Sequence, residues 1–323
     1  MRISFEQCKN LLNNANKIAL FCHIRPDGDT LGAALGLKLA LQKIGKVVEV
    51  FCEDVLPEKF LKLGFDGYFN TQLPRQTNDF DLFVAIDCGD IGRMGCFGSV
   101  FLNHKKTLSI DHHVTHEDFS KNTYVLDVSS TCEIILQIIN SLYIAIDTQL
   151  ATVLFIGLST DTGNFRHSNT NKNTFLAAQQ LSLYGVDIAG INRKLYNETT
   201  FARLKLLGRS LSNMRKFFDG KLCIMFVTAK DFKDTATDMS FTEGFTDYAI
   251  SVDTAQIGVC ISQSNANSYK VSMRSKGIDV AEICGYFGGG GHTQAAGCVL
   301  CGFLEDVIDK IVRVIEVVKW MDL

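Results

Sequence analysis

The sequence predicts an α/β protein with an N-terminal parallel-sheet domain, a helical connector and a smaller C-terminal α/β domain. Short apolar runs rich in β-branched residues alternate with helix-period segments through the first half, which implies parallel strands joined by helical crossovers. Two of these runs deliver Asp or His at their ends and a third stops at a polar turn containing both, at the edge where open α/β sheets place their sites. The chain of 323 residues, 46% of them hydrophobic, is too long for one typical core, so two domains are expected.

Residues 17–22 (KIALFC) read as a short buried strand that stops at the turn-like segment His23-Ile24-Arg25-Pro26-Asp27-Gly28-Asp29. Leu31, Leu35 and Leu39 recur at helical spacing, so a helix is expected over 31–44. Residues 46–51 (KVVEVF), 81–86 (DLFVAI) and 107–110 (TLSI) read as strands, the second ending at Asp87 and the third at Asp111-His112-His113. Residues 131–142 and 149–158 have a helical look, and the latter runs into Ser159-Thr160-Asp161-Thr162-Gly163. The texture changes from about residue 186. Residues 199–218 read as one long helix, opened by Thr199 or Thr200 and stopped by Asp219-Gly220. Strands are expected at 221–228, 257–262 and 269–274, followed by Gly288-Gly289-Gly290-Gly291-His292. The expected division is a first domain over 1–186, a connector over 187–219 and a second domain over 220–323.

Composition excludes several classes. No apolar run reaches the roughly 18 residues of a bilayer span, and the N-terminus lacks the pattern of a signal peptide, so a soluble protein without membrane contact is expected. A net charge of −3 argues against a broad basic surface for long nucleic acid but leaves room for a pocket holding a short nucleotide. The 11 cysteines are odd in number and scattered through apolar runs, which suits free thiols in a reducing cytoplasm. Cys298 and Cys301 form a CxxC, but on a strand they point to opposite faces, which argues against a redox or zinc pair.

Four clusters carry chemistry. His23, Asp27 and Asp29 offer an imidazole and two carboxylates within seven residues, donors suited to Mn²⁺ or Mg²⁺. Read alone, the segment equally suits an Asx turn with Asp29 as the N-cap of the next helix. Asp87, leaving an apolar strand, is a candidate bridging carboxylate, although Asp near Gly also makes ordinary turns. In Asp111-His112-His113 one imidazole could ligate while the other faces phosphate, with Asp111 holding a ring from behind. Asp161 adds a carboxylate beside Arg166. His23, Asp27, Asp29, Asp87, His112 and Asp161 make six donors, more than one tetrahedral zinc site uses. They suit two six-coordinate ions sharing Asp87, the arrangement that clamps attacking and leaving oxygens in phosphoryl displacement.

These ordered clusters resemble the four motifs of the DHH phosphoesterase family. Gly288-Gly289-Gly290-Gly291-His292, with Ala295-Ala296-Gly297 after it and Val271-Ser272-Met273-Arg274-Ser275-Lys276 before it, resembles the DHH-associated domain that accompanies the RecJ exonuclease and nanoRNase branches. The resemblance covers essentially the whole chain and is greatest to the nanoRNase branch, which also acts on 3′-phosphoadenosine 5′-phosphate. It implies two divalent cations, Mn²⁺ foremost. One would take His23, Asp27 and Asp87, and the other Asp29, Asp87, His112 and Asp161, so that Asp87, His112, His113 and Asp161 form the catalytic set. His113 would contact the scissile phosphate. Arg274, Ser275, Lys276, His292 and the backbone of Gly289, Gly290 and Gly291 would meet the far end of the nucleotide, and Arg166 would be a further substrate contact.

The sequence departs from the family pattern at Ala33, His116 and His167. His116 is expected as an extra phosphate contact or a spare ligand, and His104, with no motif around it, as a surface residue. The implied activity is hydrolysis of short RNA or DNA and 3′-phosphoadenosine 5′-phosphate. The rivals are a soluble phosphodiesterase for cyclic or linear dinucleotides, a RecJ-like single-strand exonuclease, and a non-catalytic nucleotide sensor. Base rates of symmetric assembly point weakly to a homodimer.

Overall fold

The structure is a computed structural model that describes residues 1–74, 77 and 79–319. The chain divides into two units, Met1–Glu198 and Thr199–Leu323.

The first unit is built on a parallel six-stranded sheet. Its strands are β1 (Lys17–Phe21), β2 (Val47–Phe51), β3 (Phe69–Asn70), β4 (Leu82–Ile86), β5 (Thr107–Asp111) and β6 (Asn122–Val125), in the order β3-β2-β1-β4-β5-β6. The helices are α1 (Phe5–Asn14), α2 (Gly28–Lys43), α3 (Glu58–Phe60), α4 (Gly98–Asn103), α5 (Thr131–Ser141), α6 (Thr148–Asp161), α7 (Lys172–Ser182) and α8 (Ile188–Asn192). Both sheet faces are covered, which is why the strands read as unbroken apolar runs. On β1 and just beyond it, Ile18, Leu20 and Cys22 enter the core beneath α2, α5 and α6, whereas Ala19 and Phe21 enter a second core with Phe51, Phe83, Phe97 and Phe101. The order of strands reverses between β1 and β4. Such a switch point opens a crevice at the C-terminal strand edge, and His23 and Asp87 leave the sheet on either side of it.

Helices α2 and α6 pack unusually closely. Gly28, Gly32 and Gly36 recur at one-turn spacing along α2. A Cβ on Gly32 would stand 2.5 Å from the Val153 carbonyl oxygen, and one on Gly36 would stand 2.6 Å from Leu154. Only glycine leaves room for this approach. His104 is not the free surface residue expected. Its ring stacks on Phe83 at 3.9 Å, and its two nitrogens face the carbonyls of Lys106 and Phe80.

The second unit contains α9 (Phe201–Ser212), β7 (Arg215–Phe217), β8 (Leu222–Val227), α10 (Ala229–Thr235), α11 (Phe245–Ile250), β9 (Ile257–Asn265), β10 (Ser268–Ser275), α12 (Val280–Gly285), β11 (Gly290–His292), β12 (Ala295–Cys301) and α13 (Leu304–Lys319). Its sheet runs β11-β12-β10-β9-β8-β7, with β8 and β9 parallel and the other pairs antiparallel. Alternate residues of β8 feed two cores, one with α12 and α13 and one with α9, α10 and α11.

The long helix expected over 199–218 is two elements. Helix α9 stops at Ser212, and Arg215–Phe217 pairs with Leu222–Ile224 as an edge strand. Phe218, Asp219 and Gly220 all take positive φ and make the turn between them. Strand pairing outcompetes a helical pattern that Phe217 and Phe218 merely continue. The segment read as a connector over 187–219 is accordingly divided. Its first part, to Glu198, lies in the first unit, and α9 is a core helix of the second.

Candidate metal centre and nucleotide cavity

The side chains brought together at the switch point come from five elements. The Asp27 side chain caps α2, one oxygen accepting from the backbone N–H of Asp29 (3.0 Å) and Thr30 (3.1 Å). The cap is therefore Asp27 and not Asp29. The other Asp27 oxygen lies 3.5 Å from His23 Nε2, so one carboxylate starts the helix and still faces the cluster. Thr30 Oγ1 donates to the Ile86 carbonyl at 2.9 Å, tying the start of α2 to the end of β4. Asp87 follows β4 with φ +61°, a conformation costly for a residue with a Cβ. The twist turns its buried side chain into the crevice.

The two oxygens of Asp87 are divided. Oδ2 lies 3.7 Å from His23 Nε2, and Oδ1 lies 3.5 Å from His112 Nε2. His112 Nε2 is also 3.6 Å from Asp161 and 4.0 Å from Asp29. Three overlapping groups result: His23, Asp27 and Asp87; Asp29, His112 and Asp161; and Asp87, Asp111, His112 and His113. Within each group the ligand atoms lie within 4.8 Å of one another.

Two features of the structure fit cations in these groups. The Nδ1 atoms of His23 and His112 face the Ile24 and Val128 carbonyls at 2.8 and 3.1 Å. The Val128 carbonyl can only accept, so the His112 proton sits on Nδ1 and its Nε2 keeps a lone pair directed at the carboxylates, whereas His23 Nδ1 also lies 3.0 Å from the Arg93 guanidinium. His112 Nε2 is buried without a hydrogen-bond partner, an orphan that a cation would satisfy. The carboxylates are also crowded. Burial, then the charge of Asp87, pushes Asp29 up to about 7, and burial, then the charge of Asp29, does the same to Asp161. Burial opposes protonation of His23, but the hydrogen bonds and charges of Asp27 and Asp87 outweigh it and lift the ring to about 10. These shifts describe a site holding more negative charge than it neutralises by itself.

Asp111 is buried behind the cluster, and its Oδ1 accepts from His113 Nδ1 at 2.7 Å and from the His113 backbone N–H at 2.9 Å. That hydrogen bond raises His113 to about 9, making it a cation at neutral pH, and its ring remains half exposed. A charged donor open to solvent suits a phosphate oxygen.

His116 is placed differently from expectation. The turn in which its N–H bonds to the His113 carbonyl folds the ring inward. It is buried, stacked on Phe119 at 5.2 Å and 3.8 Å from Asp111, so it does not present itself to a substrate. Arg166, part-buried, donates to the Gly163 carbonyl at 2.8 Å. The His167 ring packs where a Cβ on Gly163 would stand.

Contacts missed in the sequence reading come from α5 and the segment after α6. Thr131 Oγ1 donates to Asp87 Oδ1 at 2.9 Å, and the N–H groups of Thr131 and Cys132 donate to the two oxygens of Asp29 at 2.6 and 2.9 Å. Asn169 Nδ2 lies 3.2 Å from the Asp161 carbonyl. The run Ser129-Ser130-Thr131 signals a helix start in sequence, but not that the start faces carboxylates from α2 and β4.

The second unit carries a cavity of about 520 Å³, within the usual range for small-molecule sites. Lys270, Ser272 and Arg274 of β10 line it with Gly290 and Gly297, opposite Thr242, Glu243 and Asp247. Strand alternation puts Lys270, Ser272 and Arg274 on one face. Ser275 therefore points the other way, buried and donating to the Ile278 carbonyl, and Lys276 Nζ donates to the Val252 carbonyl at 3.0 Å. Neither lines the cavity. Lys270 and Ser272, rather than the expected Ser275 and Lys276, accompany Arg274 there. Gly290 lines the cavity, whereas Gly289 and Gly291 press against the backbone of β12, where a Cβ would lie 2.3 and 2.5 Å from carbonyl oxygens. His292 is exposed on β11 and is not among the cavity's lining residues.

Comparison with known proteins agrees with this division. The profile of the DHH family, N-terminal domain, matches residues 17–158, and that of the DHHA1 domain matches residues 220–319. The bifunctional oligoribonuclease and PAP phosphatase NrnA of Thermus thermophilus is 30% identical over 316 residues, covering 94% of this chain and 89% of that protein. The protein of the same name from Mycoplasma pneumoniae is 28% identical over 300 residues, covering 92% and 91%. The crystal structure of an exopolyphosphatase-related protein from Bacteroides fragilis superposes with a TM-score of 0.87 at 24% identity, covering 98% of this chain and 96% of that one.

Proposed function

The chain belongs to the DHH family, with a DHHA1 domain following, and we propose that this phosphoesterase hydrolyses short oligonucleotides and 3′-phosphoadenosine 5′-phosphate. The observation that carries the reading is the division of Asp87 between two groups, one oxygen toward His23 and the other toward His112. His23, Asp27 and Asp87 would hold one divalent cation, and Asp29, Asp87, His112 and Asp161 the other. Nitrogen and carboxylate donors of this kind suit Mn²⁺. Bound there, the pair would supply Lewis-acid charge and a water acidified toward hydroxide.

The remaining work falls to the chain's own groups. The His113 imidazolium, held by Asp111, donates to a nonbridging phosphate oxygen and offsets charge that grows during displacement. The Nδ1 hydrogen bond of His112 keeps its ring in one tautomer and one orientation, and the His23 ring is held by the Ile24 carbonyl and the Arg93 guanidinium at Nδ1. Lys270 and Arg274 supply positive charge in the second unit's cavity for a nucleotide phosphate, with Ser272 as an uncharged hydrogen-bonding partner. The cavity has room for a nucleotide, and the net charge of −3 provides no basic track for a long strand. All eleven cysteines are free, consistent with work in a reducing cytoplasm, and no helix among the described residues is long and apolar enough to cross a membrane.

The test is a substrate panel with Mn²⁺ containing dinucleotides, longer oligomers, 3′-phosphoadenosine 5′-phosphate and cyclic dinucleotides. Dinucleotides and 3′-phosphoadenosine 5′-phosphate should be turned over fastest. Equal rates on 20-mers and dinucleotides, a length comparison set by backbone tracking, would defeat the short-substrate reading. Asp87→Ala should abolish turnover with the fold intact, and retained metal-dependent turnover in that variant would defeat the shared-carboxylate assignment.

A further inference from the structure

We propose that Thr131 is a positioning residue for the cation pair, its hydroxyl holding the carboxylate plane of Asp87 so that one oxygen faces each group; the inference rests on the two-cation reading above. The two oxygens of a carboxylate are chemically equivalent, and rotation about the Cβ–Cγ bond exchanges them. A bridging carboxylate works only if its plane is held so that one oxygen faces each group. The backbone of Asp87 is already held, since its N–H donates to the Ile110 carbonyl at 3.0 Å. The side-chain plane needs its own restraint, and Thr131 Oγ1 provides one by donating to Oδ1, the oxygen on the His112 side, at 2.9 Å.

The position of Thr131 on α5 suits that task. It is the first residue of the helix, and Ser130, not Thr131, is the N-cap, accepting from the Glu133 N–H. The Thr131 hydroxyl is therefore not engaged in starting the helix. At this position there is no carbonyl four residues back within the helix for a threonine to bond. The side chain is fully buried, so water offers no alternative partner. A β-branched residue in a helix has few χ1 choices, so the backbone of α5 sets the direction of the hydroxyl.

The same residue reaches a second ligand. Its backbone N–H donates to Asp29 Oδ2 at 2.6 Å, and the next N–H, from Cys132, donates to Oδ1 at 2.9 Å. The start of α5 thus holds one carboxylate expected on both cations and one expected on the second alone. The backbone contacts survive substitution, which leaves the hydroxyl as a separable element.

The experiment uses the full chain stripped of metal, with Thr131→Val, which keeps the shape and removes the donor, and Thr131→Ser, which keeps the donor and removes the methyl. Mn²⁺ alone is titrated calorimetrically and by electron paramagnetic resonance, and kcat and KM are measured on a dinucleotide. Thr131→Val should weaken Mn²⁺ binding at one of the two sites by about 10-fold and lower kcat by a similar factor, with KM within about 2-fold of the parent. Thr131→Ser should restore both to within about 3-fold. Thr131→Ala takes the place of the valine variant if that variant does not fold, with the same expectation. Unchanged binding of two Mn²⁺ ions in Thr131→Val, or a serine variant as impaired as the valine one, overturns the proposal. A parent chain that binds no Mn²⁺ overturns the two-cation reading itself.

Discussion

Removing divalent cations should leave the first unit progressively less stable as pH rises, and Mn²⁺ should reverse that slope. The carboxylates of Asp29 and Asp161 are both pushed up to about 7, by burial first and by neighbouring negative charge second. A carboxylate raised in this way stabilises the folded state by holding a proton. The contribution is complete below the unfolded value and is lost as pH rises through the folded one. From about pH 6 to about pH 8.5 one such group loses roughly 1.4 kcal/mol, and two that share the same excess of charge lose roughly 1.5–3 kcal/mol. His23, raised to about 10, acts in the same direction, its contribution being complete below its unfolded value and lost as pH climbs toward 10. The unit spans Met1–Glu198. For a domain of that size 1 kcal/mol corresponds to about 2–4 °C, so the two carboxylates alone should lower its melting temperature by about 3–12 °C over the interval, and His23 should deepen the fall. Scanning calorimetry of chelator-treated protein across the pH series measures this directly. Cation binding requires deprotonated ligands, so the gain from added Mn²⁺ should grow with pH. A cation-free melting temperature that stays flat or rises, or an Mn²⁺ gain independent of pH, would refute the reasoning.

Gly32→Ala should destabilise the protein by about 1–3 kcal/mol in a thermal melt, because the new methyl meets a backbone carbonyl that cannot rotate away. Gly208→Ala, in the interior of α9 with nothing near the added methyl, should instead stabilise it by about 0.5–1 kcal/mol. In the cavity of the second unit, Lys270→Ala should raise the KM for a dinucleotide about 10-fold with kcat little changed, the loss of one charge-assisted contact. Lys276→Ala, whose amine is bonded to the Val252 carbonyl, should leave KM within about 2-fold in the same steady-state assay.

The parts of this protein legible in its sequence are those where one local signal suffices. An apolar run ending on Asp87 or on Asp111-His112-His113 defines a buried parallel strand and places a polar group at its tip. The residues of the cluster are therefore legible in the sequence. The less legible parts depend on direction and partnership. Thr131 begins an apolar helix and looks like any helix start until α2 and β4 bring their carboxylates to it. His116 sits three residues beyond His113, but a tight turn sends its ring into the core. Ser275 and Lys276 adjoin Arg274 in sequence, whereas β10 groups Arg274 with Ser272 and Lys270, two and four residues earlier. The segment 213–218 keeps a helix-like spacing that an edge-strand pairing overrides.

The glycine contact between α2 and α6 also acts as a length standard. Asp27 and Asp29 ride on the first turn of α2, and Asp161 is the last residue of α6. The spacing between helices in most proteins is set by side chains that can change rotamer. Here a glycine of one helix meets a backbone carbonyl of the other, so the separation is fixed by atoms with no rotamers. Mutual repulsion among the carboxylates pushes outward on that separation whenever cations are missing, and a backbone-to-backbone seam is a stiff way to resist it. An added methyl at Gly32 would therefore act at a distance, as a calibration error in the gap between ligands that it never touches.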